Sequence, residues 1–385
     1  MKLIFSLDPM RVSMTGIGRY TYELAKGLRD AKLLADLKFQ FLLGWVDDPE
    51  VLIQKYHLAD QGTKGQQASA LRQSIHNAAR SVFWAVSPTV KGLVCLPYKD
   101  YFYHSPSFVL PHFAGKCVST VHDMSVFRVP QYHPKIRVKY QHDIFPHLTQ
   151  KGDLFITDSE FSRTELLDFF PVSPDRVMSV PLGVDPMFQV RSQEHIQETL
   201  SRYGLKPNAY ALSVGTIEPR KNVEVLIDTY ASLPPELRAQ YPLVLVGGHG
   251  WNSESIHQKI ARYSQEGWLK YLLFVSDQDL AFIYSGARLF ACVSHYEGFG
   301  LPVLEAMASG IPVISSNAAS LPEVGGDAVV YVSPNQKEEI REALIRVLND
   351  DLLCQDLSLR GLARSTLFNW ERTAQQTIEA YRRIL

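Results

Sequence analysis

SHYEGFGLPVLEAMASGIPVISSNAASLPEV, residues 294–324, is the stretch whose reading decides the fold. It sets Glu297 and Glu305 eight residues apart around what reads as a strand-to-helix turn. Gly298 and Gly300 let the backbone turn tightly and approach a ligand closely. Pro302 suits the first helical position, whose N–H would be unpaired anyway. Gly310 then reads as the helix end, with Pro312 beyond it. Unpaired N–H groups near Gly300 and Leu301, together with the helix macrodipole, make a site for a phosphate. Two acids beside such a site would repel a naked phosphate. They suit hydroxyl groups, and a molecule offering phosphates and hydroxyls together is a nucleotide sugar.

Working outward, short apolar runs alternate with amphipathic stretches along the chain, the signature of parallel α/β architecture. Strands are expected at 3–7, 39–43, 101–104, 117–121, 154–157 and 177–180, and again at 210–214, 243–246, 272–275, 289–293, 313–315 and 329–332. That is two Rossmann-like sheets in series. Pro181–Ser192 lacks periodicity and contains Gly183 and Pro186, so it reads as a linker. A chain of 385 residues accommodates two domains of this kind.

Composition excludes several classes. Hydrophobic content of 46% and charged content of 21% are those of an ordinary globular protein. A net charge of -1 gives no reason to expect nucleic acid. The four cysteines show no metal or redox spacing and fit a reducing compartment. The N-terminal KLIFSLDPM is too short for a signal-peptide core and reads as a first strand. No apolar run approaches the ~20 residues that span a bilayer. The expected location is therefore cytoplasmic. The first 185 residues hold 21 basic against 18 acidic side chains and the remainder 18 against 22, a direction that suits a first domain facing an anionic surface.

Thr216–Asn222, TIEPRKN, directly follows the expected strand ending at Val214. Ligands of open α/β sheets gather at strand C-terminal ends. There the fork of Arg220 and the point charge of Lys221 can stabilise a departing diphosphate without a metal. Thr15–Tyr20, TGIGRY, offers Gly16 and Gly18 after the first strand. As a dinucleotide fingerprint it fails, because Thr21 stands where the third glycine belongs. His122 and Asp123 end the strand that begins at Cys117, which puts the imidazole at a cleft mouth with Asp123 available to orient it. The other eleven histidines show no comparable context. Ser320–Glu323 reads as a capping box, with Glu323 answering Ser320. Gly247, Gly248 and Gly250 allow backbone near a nucleotide, with a plain loop the competing reading.

Glu297, Gly298, Phe299, Gly300, Glu305, Ala306, Met307, Ala308, Gly310, Pro312 and Val313 fall in the pattern E-G-F-G-x-x-x-x-E-A-M-A-x-G-x-P-V. This resembles the retaining glycosyltransferases of family 4, most closely the bacterial mannosyltransferases of surface polysaccharide synthesis. The resemblance implies the GT-B fold, two Rossmann-like domains facing across a cleft. It would make residues 1–185 the acceptor domain and 186–369 the donor domain. The last helix, 370–385, would cross back onto the first, and Trp370, Ala374, Ile378 and Tyr381 stand at helical spacing for it. The implied catalytic set is Glu297, His122, Arg220 and Lys221. The implied donor-binding set is Gly16, Gly18, Arg220, Lys221, Phe299, Gly300, Leu301 and Glu305, with Glu305 on the ribose hydroxyls. Base contacts would come from the backbone of Phe274–Ser276, where Ser276 departs from the family's usual glycine. Thr15 departs likewise from the first of a glycine pair.

The implied reaction moves a hexose from a nucleotide sugar to a glycan or lipid-linked acceptor by front-face attack. The donor expectation is GDP-mannose, from the overall likeness of TGIGRY and EPRKN; UDP-sugars and dTDP-rhamnose stay open. No Asp-x-Asp motif precedes a metal-binding site, so no metal is expected. Leu71–Val94 mixes Arg72, Arg80 and Lys91 with Ile75, Val82, Phe83 and Trp84, a composition open to a lipid interface or to packing on the sheet. Lys135 and Arg137 could face an acceptor pyrophosphate. A lipid-linked acceptor would add peripheral contact at the inner face of the membrane. The alternatives are a nucleotide-sugar 2-epimerase of the same fold, disfavoured by the glutamate pair and TIEPRKN, and a non-catalytic nucleotide-sugar binder. A phosphorylase would need a pyridoxal-bearing lysine, and none stands in a recognisable context.

Overall fold

The computed structural model describes residues 1–11, 16–53, 88–273 and 275–384. The first sheet holds β1 (Lys2–Ser6), β2 (Asp36–Phe41), β3 (Gly44–Val46), β4 (Phe102–Ser105), β5 (Cys117–Val121), β6 (Leu154–Thr157) and β7 (Val177–Ser179). Their order is β3-β2-β1-β4-β5-β6-β7, parallel throughout except for β3. The second sheet holds β8 (Ala211–Val214), β9 (Leu243–Val246), β10 (Leu269–Leu272), β11 (Leu289–Cys292), β12 (Val313–Ser316) and β13 (Val330–Val332). Its order is β10-β9-β8-β11-β12-β13, all parallel. Parallel strands covered on both faces read as continuous apolar runs, and LVLV of β9 and LFAC of β11 are buried at every position.

Both sheets reverse their winding direction once, between β1 and β4 in the first and between β8 and β11 in the second. A crevice opens beyond the strand ends at such a switch point. The segment leaving β8 carries Arg220 and Lys221; the segment leaving its neighbour β11 carries Glu297. Residues about 75 apart in sequence are thus delivered to one place by strand order.

The last helix, Trp370–Arg382, returns to the first sheet. Asn369 caps it, its side chain accepting from the Arg372 N–H at 2.8 Å. Trp370, Ala374, Ile378 and Tyr381 are all buried. The Tyr381 hydroxyl meets His104 Nδ1 at 2.6 Å inside the first sheet. The helix Gly16–Asp30 packs against it, and Gly27 has no room for a side chain because a Cβ there would sit 2.7 Å from that of Ala374.

Three expectations need correction. The strand placed at 272–275 is β10 at Leu269–Leu272, three residues earlier. It pairs with β9 from Leu269 opposite Leu243, and the exposed Leu273 lies past its end. As an edge strand it tolerates Lys270, which broke the apolar pattern. The short β3 was missed altogether. Its hairpin turns on Leu42 at φ 54, without the glycine or asparagine that signals such a turn, and Leu42 N–H is held by Asp8 Oδ1 at 2.8 Å. Pro302 is the second residue of its helix, after Leu301. Thr15, Phe274 and most of the 71–94 stretch, including Arg72, Ile75, Arg80, Val82, Phe83 and Trp84, lie outside the described residues. Lys91 is described, buried in an ion pair with Asp8.

Candidate active site between the two sheets

Glu297 is 6% exposed and accepts from three side chains. Lys221 Nζ reaches its two oxygens at 2.6 and 2.8 Å, Ser294 Oγ donates at 2.7 Å, and Arg220 Nη1 lies at 3.3 Å. Burial works against ionisation of this carboxyl, but Lys221 and Arg220 outweigh it and hold the group below its usual range. Arg220 also donates to the Tyr296 carbonyl at 2.7 Å and to Glu218. Asn222, in the left-handed region at φ 57, sends its amide to the carbonyls of Val293 and Pro334 at 2.9 and 2.8 Å. This bolts the β8 loop to the β11 loop. A short polar side chain tolerates that backbone better than most.

Gly298 marks where the two halves of the molecule touch. A Cβ on it would lie 2.2 Å from the His122 carbonyl oxygen. Its own carbonyl accepts from Ser159 Oγ at 2.7 Å and Ser162 Oγ at 3.2 Å, both on the first sheet's side. The Tyr296 hydroxyl donates to Glu165 and accepts from Met124 N–H. Glu323 does not close a capping box. Ser320 has helical backbone, and its hydroxyl instead reaches the Glu297 and Phe299 carbonyls at 2.8 and 2.9 Å. The Glu323 carboxylate accepts from the N–H groups of Glu160 and Phe161 at 2.8 and 2.6 Å. It therefore caps a helix that belongs to the other sheet, satisfying donors left unpaired at that helix start.

Glu305 lies one turn into the helix Leu301–Ala308 and accepts from the Tyr284 hydroxyl at 3.0 Å. Burial raises its pKa to about 7, with Asp277 and Asp185 adding to the rise and Arg19 and Tyr284 opposing it. Gly300, at φ 114, forms the turn before this helix, and no side chain caps its first N–H groups. Gly16 comes close to the same helix start, since a Cβ on it would lie 3.9 Å from Leu301 Cδ1. Gly18 is buried in its own helix. The Phe299 side chain is turned into the core against Phe368, so only its backbone lines the loop.

His122 is oriented by Asp158, not by its neighbour Asp123. Nδ1 meets Asp158 Oδ2 at 2.7 Å and Nε2 meets the Pro106 carbonyl at 3.2 Å. The Pro106 carbonyl can only accept, so Nε2 carries an N–H, and an ionised Asp158 takes a second N–H from Nδ1. Burial opposes that charge; Asp158 and the Pro106 bond overcome it and raise the imidazole pKa. Burial also lifts Asp158, against the pull of the ring, yet the two facing acceptors favour the ion pair. Asp123 accepts from Ser125 N–H and Oγ at 2.9 and 2.6 Å and feels the charge of Arg220.

Arg19 was not singled out in the sequence, although it stands in TGIGRY beside the glycines. It bridges Asp185 at 2.7 Å and Asp277 at 2.5 Å, tying the first helix to the linker and to the second sheet's side, next to Glu305. Asp277–Gln278–Asp279 does have Asp-x-Asp spacing, but Asp277 holds Arg19 and Asp279 holds Arg202 and Tyr203. Among the described residues no group of three or more His, Cys, Asp or Glu is placed for a metal ion. Ser276 caps the helix Asp277–Ser285, accepting from Asp279 N–H. Gly247 and Gly250 are required by packing, because a Cβ on either would strike the carbonyl of Gly215 or Ile217.

A family profile described as glycosyl transferases group 1 matches residues 197–363, and one described as glycosyltransferase family 4 matches residues 101–188. The O-antigen chain mannosyltransferase B of Escherichia coli is 38% identical over 383 residues, 99% of this chain and 100% of that relative. This chain belongs to the family 4 glycosyltransferases. The serotype-specific mannosyltransferase WbdA of Escherichia coli is 35% identical over 243 residues, 61% of this glycosyltransferase and 29% of WbdA. In three dimensions, the crystal structure of Anabaena HepE in complex with UDP and glucose matches with a TM-score of 0.74 at 20% identity, covering 99% of each chain. The fold is GT-B. No helix among the described residues is long and apolar enough to cross a membrane.

Proposed function

We propose that this glycosyltransferase moves mannose from GDP-mannose to a mannose-bearing glycan or lipid-linked acceptor in O-antigen synthesis, with retention at the anomeric carbon. The observation that carries the proposal is the end-to-end likeness to the mannosyltransferase of Escherichia coli. The facing strand ends support the following residue roles. Arg220, Lys221 and the uncapped N–H groups at Gly300–Leu301 hold the diphosphate, and charge-assisted hydrogen bonds strengthen as it departs. Glu305 accepts from the ribose hydroxyls. Glu297 accepts from a hydroxyl of the transferred sugar, and His122 helps place that sugar.

A carboxylate already hydrogen-bonded to Lys221 and Ser294 is a poor nucleophile, which favours front-face attack over a covalent intermediate. The acceptor hydroxyl oxygen bonds to the anomeric carbon as the bond to the GDP oxygen breaks. Its proton passes to that departing phosphate oxygen. No metal is required, since Arg220 and Lys221 supply the positive charge. A cleft that closes over the donor fits the contacts made by Gly298, Tyr296 and Glu323. Peripheral membrane contact is proposed only if the acceptor is lipid-linked.

Thermal shift with GDP-mannose, UDP-glucose and dTDP-rhamnose, with and without EDTA, tests the donor. Anomeric NMR of the product tests retention. Stabilisation by GDP-mannose that survives EDTA is expected, with an α-mannoside as product. Stabilisation by UDP or dTDP species alone would refute the donor, and an inverted product would refute the mechanism.

A further inference from the structure

His133 stands out among the groups the mechanism leaves unused. It is 5% exposed, yet neither ring nitrogen has a hydrogen-bond partner among the described residues. Buried polar groups are rarely left so, and the exceptions call for an explanation. The adjacent Tyr132 stacks on His295, whose N–H donates to the Arg220 carbonyl, so this segment borders the site of Glu297 and Arg220, and the charges of Arg137, Asp123 and Arg220 act on the ring.

The segment carrying it is pinned across the cleft. Trp251, from the loop after β9, donates its indole N–H to the Tyr132 carbonyl at 2.7 Å. The Trp251 ring lies 5.7 Å from the His133 ring, with the Arg137 guanidinium 4.9 Å from the Trp251 ring centre. Tyr132 stacks on His295 at 5.0 Å, with the rings 9° apart. The His295 N–H in turn donates to the Arg220 carbonyl at 2.9 Å. A side chain of the first sheet's half is thereby held beside the donor half, and its aromatic cover, Trp251, comes from that other half.

Resting on the transfer reaction proposed above, we propose that His133 is an acceptor-binding residue, its two ring nitrogens taking hydroxyls of the acceptor sugar while Trp251 and Tyr132 hold its segment in place. A neutral imidazole offers one donor and one acceptor, and a sugar hydroxyl is both. Burial and Arg137 lower the His133 pKa to about 4, which keeps the ring neutral at ordinary pH. His133 belongs to the first sheet's half and its ring nitrogens bond to neither diphosphate cation, so its replacement leaves Arg220 and Lys221 on their own partners.

The test titrates octyl α-mannoside into protein with 13C-labelled histidine rings, the His133 resonance being assigned from H133Q among twelve histidines. A saturable shift of that resonance is expected with or without GDP-mannose; no shift overturns the subsite. Kinetics with GDP-mannose form the second reading. H133F should raise the mannoside KM at least tenfold, while GDP-mannose affinity and its acceptor-free hydrolysis stay within twofold. H133Q should recover part of the loss. An unchanged mannoside KM, or equal losses in donor binding, would overturn the assignment. Failure of GDP-mannose to bind would refute the donor reading while leaving the titration to decide His133.

Discussion

Replacing Glu305 by glutamine should make the protein more stable and a poorer donor binder, and both effects should depend on pH. Burial lifts this carboxyl from 4.5 to about 7. A folded state that keeps a proton the unfolded chain has already lost becomes less stable as pH rises through that interval. Its stability is therefore intact below 4.5, declines between 4.5 and 7, and stays reduced above. At ~1.4 kcal/mol per decade of proton affinity, the decline is about 3 kcal/mol. This is an upper bound, because Glu305 is only half-buried and solvent screens the rest. Glutamine cannot ionise, so E305Q should lack the decline.

Urea unfolding of both proteins at pH 5 and pH 8 measures the difference. Glu23, lifted by burial to about 6, titrates in the same window but is shared by both proteins and cancels. The stability gain of E305Q over the wild type should grow by about 2–3 kcal/mol between the two pH values, or on the order of 3 °C in Tm. Donor binding should move the other way. Losing one charge-assisted hydrogen bond of ~1.5–3 kcal/mol weakens GDP-mannose roughly ten- to hundredfold at pH 8. In the wild type the affinity should fall about three- to fivefold from pH 7 to pH 6 as the carboxyl takes up its proton; in E305Q it should be flat. Parallel pH profiles for the two proteins, in either stability or affinity, would refute this account of Glu305.

Four further outcomes are expected. Glu297→Gln should cut kcat more than hundredfold in a steady-state transfer assay, and should cost about 3 kcal/mol of stability, because Lys221 and Arg220 lose a buried counter-charge. Gly298→Ala should fold but close poorly, since its Cβ would sit 2.2 Å from the His122 carbonyl oxygen; a larger radius of gyration by small-angle scattering and a raised donor KM would register this. Tyr296→Phe removes the hydroxyl that joins Glu165 and Met124 across the cleft, so it should weaken donor binding several-fold while leaving the secondary structure unchanged by circular dichroism. Gly183→Ala forces a Cβ to 2.3 Å from Trp370 N where the last helix crosses back, and should lower stability by about 1–3 kcal/mol in urea unfolding.

Much of the architecture is written locally. The strands LVLV and LFAC, the turn at Gly300 and the spacing of Trp370, Ala374, Ile378 and Tyr381 each announce themselves, because burial on both faces, positive φ and helical periodicity are properties of short segments. Glu297 and Glu305 were visible for the same reason: one strand-turn-helix carries both. What failed were statements about partners. Asp123 is next to His122 in sequence, yet Asp158 of the adjacent strand's loop holds the ring. Glu323 has the spacing to answer Ser320, yet it caps a helix of the other sheet. Arg19 and His133 gave no signal, since a bridging arginine is defined by its distant carboxylates, and an unpartnered histidine by what does not reach it. By itself the sequence determined the two parallel sheets, the uncapped glycine turn at Gly300 and the acid pair, all set by dihedral preference and apolar periodicity. Tertiary structure alone decided which charges meet, because strand order and the closure of one half on the other bring Lys221 onto Glu297 and Glu323 onto Glu160, and hydrogen bonds form between neighbours in space.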